Sequence, residues 1–381
     1  MNVNGQPFRS IWFDDDGETV KVIDQTKLPH RFEVLTWRHL IDAAQGIRSM
    51  VVRGAPLIGA AAAHGVALAM KDDPSDEALA FAHEQLLKSR PTAVNLRWAL
   101  EAIRHRLGPL AVFERASAAR REAALLADQD VQNCSAIGDH GLDLIAQMWA
   151  KSERRSPLNI LTHCNAGWLA TVDWGTALAP IYKAYNAGIP LHVWVDETRP
   201  RNQGASLTAW ELGQHGVPFT VIADNCGGHL MQRGLVDLCI VGSDRTTGRG
   251  DVCNKIGTYL KALAAHEHQV PFYVALPSST IDWRIQDGVK EIPIEQRDPE
   301  EVTRLSGRTT TGEIATILLT PDGSQAANYA FDVTPARFVT ALITERGVCS
   351  ASEDGLAKLF DKRIDANLRP DKGPIHGRID D

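Results

Sequence analysis

Apolar residues recur along the chain with two different rhythms. The opening is strand-like at residues 10–13 and 20–23, and helical spacing follows around 37–48, 57–70, 76–88, 95–107 and 115–128. This stretch predicts a small, mainly helical domain carrying a few strands. From Leu158 onward, short apolar runs at 159–161, 191–195, 219–222, 238–241 and 272–276 alternate with segments of helical spacing. Strands that alternate with helices imply a parallel sheet covered on both faces, hence an α/β fold. The pattern predicts a small N-terminal domain over 1–125, a larger domain over 126–350, and a tail over 351–381 consisting of a short helix and a loose surface segment.

The residues immediately after each apolar run give the first functional signal. In order they are Thr162-His163-Cys164-Asn165, Asp196-Glu197-Thr198-Arg199, Asp224-Asn225, Ser243-Asp244-Arg245 and Pro277-Ser278-Ser279. The carboxyl ends of the strands of an open parallel sheet line one edge, and ligands bind in the crevice there. Any one of these residues alone reads as a helix N-cap. Together they bring a thiol, carboxylates, hydroxyls and arginines to one edge, with Cys164 and Asp244 as the reactive candidates.

Composition removes several classes of function. The 381 residues carry 40 Lys and Arg against 47 Asp and Glu, a net charge of −7, which speaks against a nucleic-acid or membrane partner. The acidic start, with Asp14, Asp15, Asp16 and Glu18, contains no apolar secretory core, so a cytoplasmic location is expected. The most apolar stretch, 55–70, is interrupted by His64 and is shorter than the roughly 20 residues that span a bilayer. It predicts a buried helix. The six cysteines are never closer than 13 positions, which gives neither a zinc-type pair nor a compact disulfide framework. Cys253 stands where a dinucleotide fingerprint after Gly248 and Gly250 needs glycine, and no phosphate-loop sequence occurs. No metal and no cofactor are expected.

Anion binding is better supported. Arg53-Gly54-Ala55-Pro56 precedes the Ala-rich segment, with Pro56 suited to a first helical turn. The free N–H groups of that turn, together with Arg53, suit a phosphate. Residues 250–257 read as the opening of a second helix capped by Asp251. A lysine there opposes the helix dipole, a cost that makes sense if Asn254 and Lys255 meet an anion. Arg90, before Pro91, reads by itself as surface charge. Cys164 lies between a strand and a helix, and a thiol near a helix N-terminus has a lowered pKa. His163 belongs to the same extended segment and points to the other side, so it is not the base for Cys164. Apolar walls would raise the Asp244 carboxyl and make it a general acid, whereas Arg245 would hold it ionised.

Val52-Arg53-Gly54-Ala55-Pro56, Arg90-Pro91-Thr92, Thr162-His163-Cys164-Asn165-Ala166-Gly167, Glu197-Thr198-Arg199-Pro200, Asn202-Gln203-Gly204-Ala205, Gly242-Ser243-Asp244-Arg245, Asn254-Lys255-Ile256-Gly257 and Phe331-Asp332-Val333-Thr334-Pro335 occur in that order. From about residue 45 to 348 the chain resembles the S-methyl-5-thioribose-1-phosphate isomerase family of methionine salvage. The resemblance implies a cofactor-independent aldose–ketose isomerase acting on a sugar 1-phosphate. It also implies a Rossmann-like C-terminal domain joined to a smaller N-terminal one, and a homodimer. By motif it makes Cys164 and Asp244 catalytic. Arg53, Gly54, Ala55, Arg90, Gln203, Asn254 and Lys255 become substrate-binding. Ser206, Ser243, Arg249 and Tyr329 depart from the common pattern without removing a catalytic group. Related isomerases act on 5-deoxyribose 1-phosphate or ribose 1,5-bisphosphate, and regulatory subunits of initiation factor two B share the fold as binding proteins. Retention of both Cys164 and Asp244 favours an enzyme, and a cysteine hydrolase would lack its histidine partner.

Overall fold

The computed structural model describes residues 1–152 and 157–360. After a short antiparallel ribbon of Asn2–Val3 with Gln6–Pro7 come three antiparallel strands, β1 (Ile11–Phe13), β2 (Val20–Ile23) and β3 (Val34–Trp37). Helices α1 (Leu40–Arg48), α2 (Ala55–Asp72), α3 (Asp76–Ser89) and α4 (Val94–Leu107) follow. The Ala-rich α2 is buried over nearly its whole length, because its small side chains let α1, α3, α4 and the next helix approach on several sides. Among the described residues no helix is long and apolar enough to cross a membrane.

The next helix, α5 (Val112–Lys151), is 40 residues long. The expected helix at 115–128 is only its first part, and the expected boundary at residue 125 falls inside it. Its buried face changes partners on the way. Ala118, Ala119, Ala123 and Ala127 belong to the core around α2, whereas Ile137 and Ile145 belong to the core beneath the sheet. The second half escapes the apolar pattern because Gly138 and Gly141 form its contact face, pressed against Ala179, Pro180 and Lys183.

The chain then alternates as expected, through β4 (Leu158–Thr162), α6 (Leu178–Asn186), β5 (Leu191–Asp196), α7 (Ala209–His215), β6 (Phe219–Ile222), α8 (Cys226–Gln232) and β7 (Leu238–Val241). Next come β8 (Arg245–Thr247), β9 (Val252–Lys255), α9 (Thr258–Glu267), β10 (Phe272–Ala275) and β11 (Ile281–Asp282). A hairpin of β12 (Arg304–Arg308) and β13 (Ile314–Leu318) leads to β14 (Phe331–Thr334), β15 (Ala341–Thr344), β16 (Gly347–Cys349) and α10 (Glu353–Leu359). The main sheet has the order β16-β15-β10-β7-β4-β5-β6. All its pairings are parallel except β15 with β16. The fold is α/β with a Rossmann-like parallel sheet and a helical N-terminal region. Strand order reverses between β4 and β7, where a ligand crevice opens at the carboxyl ends of the strands.

A second sheet, ordered β11-β8-β9-β14, roofs that crevice and overturns one expectation. Residues 252–255 do not open a helix. They form β9, a wholly buried strand with Arg245 opposite Cys253 and Asn254 opposite Asp332, and α9 starts only after Gly257. Asp251, expected as an N-cap, instead accepts hydrogen bonds from the Gly288 and Ala336 N–H groups. Pairing on both edges overrides the local signal. In the tail, Ser352 caps α10. The loose segment expected beyond it lies at 361–381, outside the described residues.

Candidate active site

Cys164 stands two residues beyond β4, in a left-handed conformation with φ of 65°. Its backbone is held from both sides. The N–H donates to Thr198 Oγ1 at 2.8 Å, and the carbonyl accepts from Thr208 Oγ1 at 2.7 Å. A single 3-10 turn comes next, and α6 begins only at Leu178, so the helix that follows Cys164 does not start at the thiol. Burial pushes the Cys164 thiol up, while Arg53 and Lys255 pull the other way and Asp244 adds to the rise. This reverses the lowered pKa expected from the sequence.

Asp244 leaves the neighbouring strand β7, and its N–H is tied to the Cys253 carbonyl at 3.0 Å. Burial pushes its carboxyl up against the pull of Lys255, Arg53 and Arg90. Arg245 turns away. Its Nη2 donates to the Thr92 carbonyl at 2.5 Å, and its Nη1 lies 3.9 Å from Asp282. The choice left open by the sequence therefore resolves toward a raised carboxyl.

Cys164 and Asp244 line one cavity together with Arg53, Gly54, Ala55, Arg90, Gln203 and Lys255. Arg53 is buried and donates to Asn165 twice, through Nη1 to Oδ1 at 2.5 Å and through Nη2 to the carbonyl at 2.9 Å. Gly54 starts α2 at φ of 98°, where a Cβ would lie 2.4 Å from the Ala170 carbonyl oxygen. Only glycine allows this approach, which sets the α2 N-terminus at the cavity wall. The Lys255 ammonium stands 4.7 Å from the centre of the Phe331 ring, and burial lowers its pKa. Gln203 Oε1 is buried without a hydrogen-bond partner. Asn254 is placed differently. It lines a smaller adjoining cavity shared with Cys164 and Asp244, and its amide donates to Thr258 Oγ1 at 3.0 Å.

One cluster beneath the site has metal-ligand chemistry, His163 with Asp196 and Asp224. One of its carboxylates is already paired with a cation of the chain. Lys261 Nζ lies 3.0 Å from Asp196 Oδ2 and donates to the Asp224 carbonyl. His163 joins Asp196 at 2.9 Å through Nδ1 and the Ile256 carbonyl at 2.8 Å through Nε2. The ring thus braces the segment after Lys255 and makes no bond to Cys164.

Known proteins resemble this chain in sequence and in fold. The model of the initiation factor 2 subunit family matches residues 51–351. A methylthioribose-1-phosphate isomerase from Rhodospirillum rubrum is 63% identical over 96% of this chain and 95% of its own. The chain belongs to the methylthioribose-1-phosphate isomerase family. The crystal structure of 5-methylthioribose 1-phosphate isomerase from Pyrococcus horikoshii OT3 superposes with a TM-score of 0.80 at 39% identity, covering 93% of this chain and 96% of that one. The translation initiation factor eIF-2B, subunit delta, from A. fulgidus superposes at 0.76 with 40% identity, over 93% and 99%.

Around the site of this isomerase stand residues that sequence reasoning passes over. Asn165 lies in one of the family-like motifs without a role, and it is what carries Arg53. Its amide nitrogen donates to Glu211 at 3.0 Å, and the buried Glu211 carboxylate also accepts from Trp168 N, Leu169 N and Tyr182 OH. A lone Glu inside a helix gives no sequence signal of such a role. Thr198 and Thr208, which clamp Cys164, read locally as ordinary polar helix-start residues. Arg297, a further cation on the cavity wall, lies outside every motif.

Proposed function

We propose that the chain converts S-methyl-5-thioribose 1-phosphate into S-methyl-5-thioribulose 1-phosphate, a step of methionine salvage, with Cys164 and Asp244 as the catalytic pair. The observation that carries this reading is their convergence. Adjacent strands at the point of strand-order reversal deliver a buried thiol and a raised carboxyl to one cavity, beside a helix N-terminus, Arg53 and Lys255. Arg53, Arg90, Lys255 and the N–H groups at Gly54 and Ala55 suit the phosphate. Gln203 offers its free Oε1 to a sugar hydroxyl. Asn254 acts from behind Asp244.

The C1 phosphate locks the substrate as a ring without a free aldehyde. In our reading Asp244, protonated because it is buried, gives its proton to the ring oxygen, and the C1–O bond to that oxygen breaks. Hydrogen then passes from C2 to C1, and the C2 hydroxyl returns a proton to the Asp244 carboxylate as the ketone forms. The proton count closes. A buried thiol with a raised pKa is a poor standing base, which supports transfer as hydride over removal of the C2 hydrogen as a proton. Cys164 then serves as a polarisable wall of the dry pocket where positive charge develops. Turnover of S-methyl-5-thioribose 1-phosphate tests the whole reading. Asp244→Asn should lower kcat by about 10²-fold or more, and Cys164→Ala should lower kcat as well, each with an unchanged thermal transition. Near-normal rates in either variant would defeat the assignment. In D2O the product should carry no deuterium at C1, and incorporation would favour the proton route.

We further propose two domains that meet along α5 with the cavity between them, and a homodimer. Ile314, Ile317, Leu318 and Leu319 on and beside β13 are exposed apolar residues of the kind a partner copy covers. Light scattering at twice the 41.7 kDa chain mass would support the dimer, and a monomer would dismiss it. Six unpaired cysteines support a reducing, cytoplasmic setting.

A further inference from the structure

Arg297 faces the cavity, yet each nitrogen of its guanidinium is paired with a carboxylate. Nε and Nη2 donate to Glu301 at 3.0 and 2.7 Å, and Nη1 donates to Glu295 at 3.1 Å. Every nitrogen of the fork has an anionic acceptor. The second oxygen of Glu295 takes Arg90 Nη2 at 3.1 Å, which ties the end of α3 to the segment after α9 and β11. Glu301 is itself locked, accepting from Arg201 at 2.7 Å and from the Asn328 amide at 2.8 Å. Burial works against its charge, but the bonds from Arg297 and Arg201 hold its carboxyl at about 2, so it is an anion at any working pH. Arg245 is also spent, on the Thr92 carbonyl and Asp282.

The remaining cations differ in kind. Arg53 rests on the neutral Asn165, and Lys255 stands over an aromatic ring. Arg90 keeps an uncommitted edge, and its buried Nε has no hydrogen-bond partner. That is a cradle for one phosphate. A second phosphate taken out of water would need further uncompensated donors, and the further cation on the wall, Arg297, is already paired with two carboxylates. The apolar wall of Met50, Ile58, Val94, Ile292 and Pro293 suits an uncharged tail.

We propose that Glu295 and Glu301 determine specificity by neutralising Arg297 and half-engaging Arg90, so that the site accepts pentose 1-phosphates uncharged at C5 and rejects those phosphorylated there. Rejection comes from a built-in repulsive element rather than from a better fit to the right substrate. The inference rests on the isomerase reading above and names the residues that restrict it.

The test compares kcat/KM for S-methyl-5-thioribose 1-phosphate and ribose 1,5-bisphosphate in the wild type, Glu295→Gln, Glu301→Gln and the double variant. The bisphosphate-to-methylthio ratio should rise on the order of ten-fold in each single variant and further in the double. An unchanged ratio, or equal losses on both substrates, would overturn the proposal. If a variant loses its cooperative thermal transition, the wild type decides the matter through competitive inhibition. Ribose 1,5-bisphosphate should bind about ten-fold or more weakly than ribose 1-phosphate, and equal inhibition overturns the proposal. A wild-type enzyme inert on S-methyl-5-thioribose 1-phosphate would instead defeat the proposed function.

Discussion

A thiol and a carboxyl that are both pushed up by burial cannot do the chemistry their solution forms would do. Asp244 in this environment keeps its proton to a higher pH than an exposed aspartate does, as the proton donor proposed above must. Its elevation has a sign that kinetics can read. The donor form exists below the raised pKa and disappears above it, so kcat/KM should fall as pH climbs through that value, which lies above the usual carboxylate range. Asp244→Asn should abolish this alkaline limb along with most of the activity. A limb that survives in the variant would mean another group supplies the proton. The same shift affects stability. A carboxyl raised in the folded state favours folding below its ordinary pKa, and that contribution is lost as pH rises through the elevated one. Lys255 opposes part of this loss, because its ammonium pulls Asp244 back toward ionisation.

At the scale of elements, the site depends on where α2 begins. Gly54 lets the helix start against Ala170, and a methyl group there would meet the Ala170 carbonyl, Cα and Cβ at 2.4, 2.5 and 2.7 Å. Gly54→Ala should therefore move the helix N-terminus from the cavity and cost about 1–3 kcal/mol through its positive φ. A raised KM with a lowered thermal midpoint would be the signature, and unchanged KM would remove the α2 N-terminus from phosphate binding. Elements of this kind are unevenly legible in the sequence. Strands buried on both faces, such as β7 and β10, write themselves as unbroken apolar runs whose ends can be placed within a residue or so. The cysteine and the carboxylate that come after such strands are legible for the same reason. Strand order is not, because nothing local to β4 or β7 says that they are neighbours. The strand β9 reads wrongly as a helix start because Val252 to Lys255 take their partners from residues 245–246 and 331–334, one of them far along the chain. Glu295 and Glu301 look like surface charge until the fold sets them against Arg297.

For the whole molecule, the important point is that the proposed phosphate cradle is shared between two hydrophobic cores. Arg53, Gly54 and Ala55 enter from the helical region packed around α2, and Arg90 from the end of α3. Lys255 comes from the sheet that roofs the crevice, and Gln203 from the turn before α7. An anion bound there joins the two regions without a new protein contact, so it should act as a cross-link that native packing alone does not provide. Linkage sets the size of the effect at about 2.7 kcal/mol for a ligand at a hundred-fold excess over its Kd. Inorganic phosphate is the simplest probe, since it carries the charge but not the sugar. It should raise the thermal midpoint of the wild type by several degrees, and should do so far less in Arg90→Ala or Lys255→Ala, each of which removes a donor from one side of the cradle. If the two variants gained as much from phosphate as the wild type, the anion would be binding elsewhere, and the crevice between the cores would lose its claim to hold the substrate together.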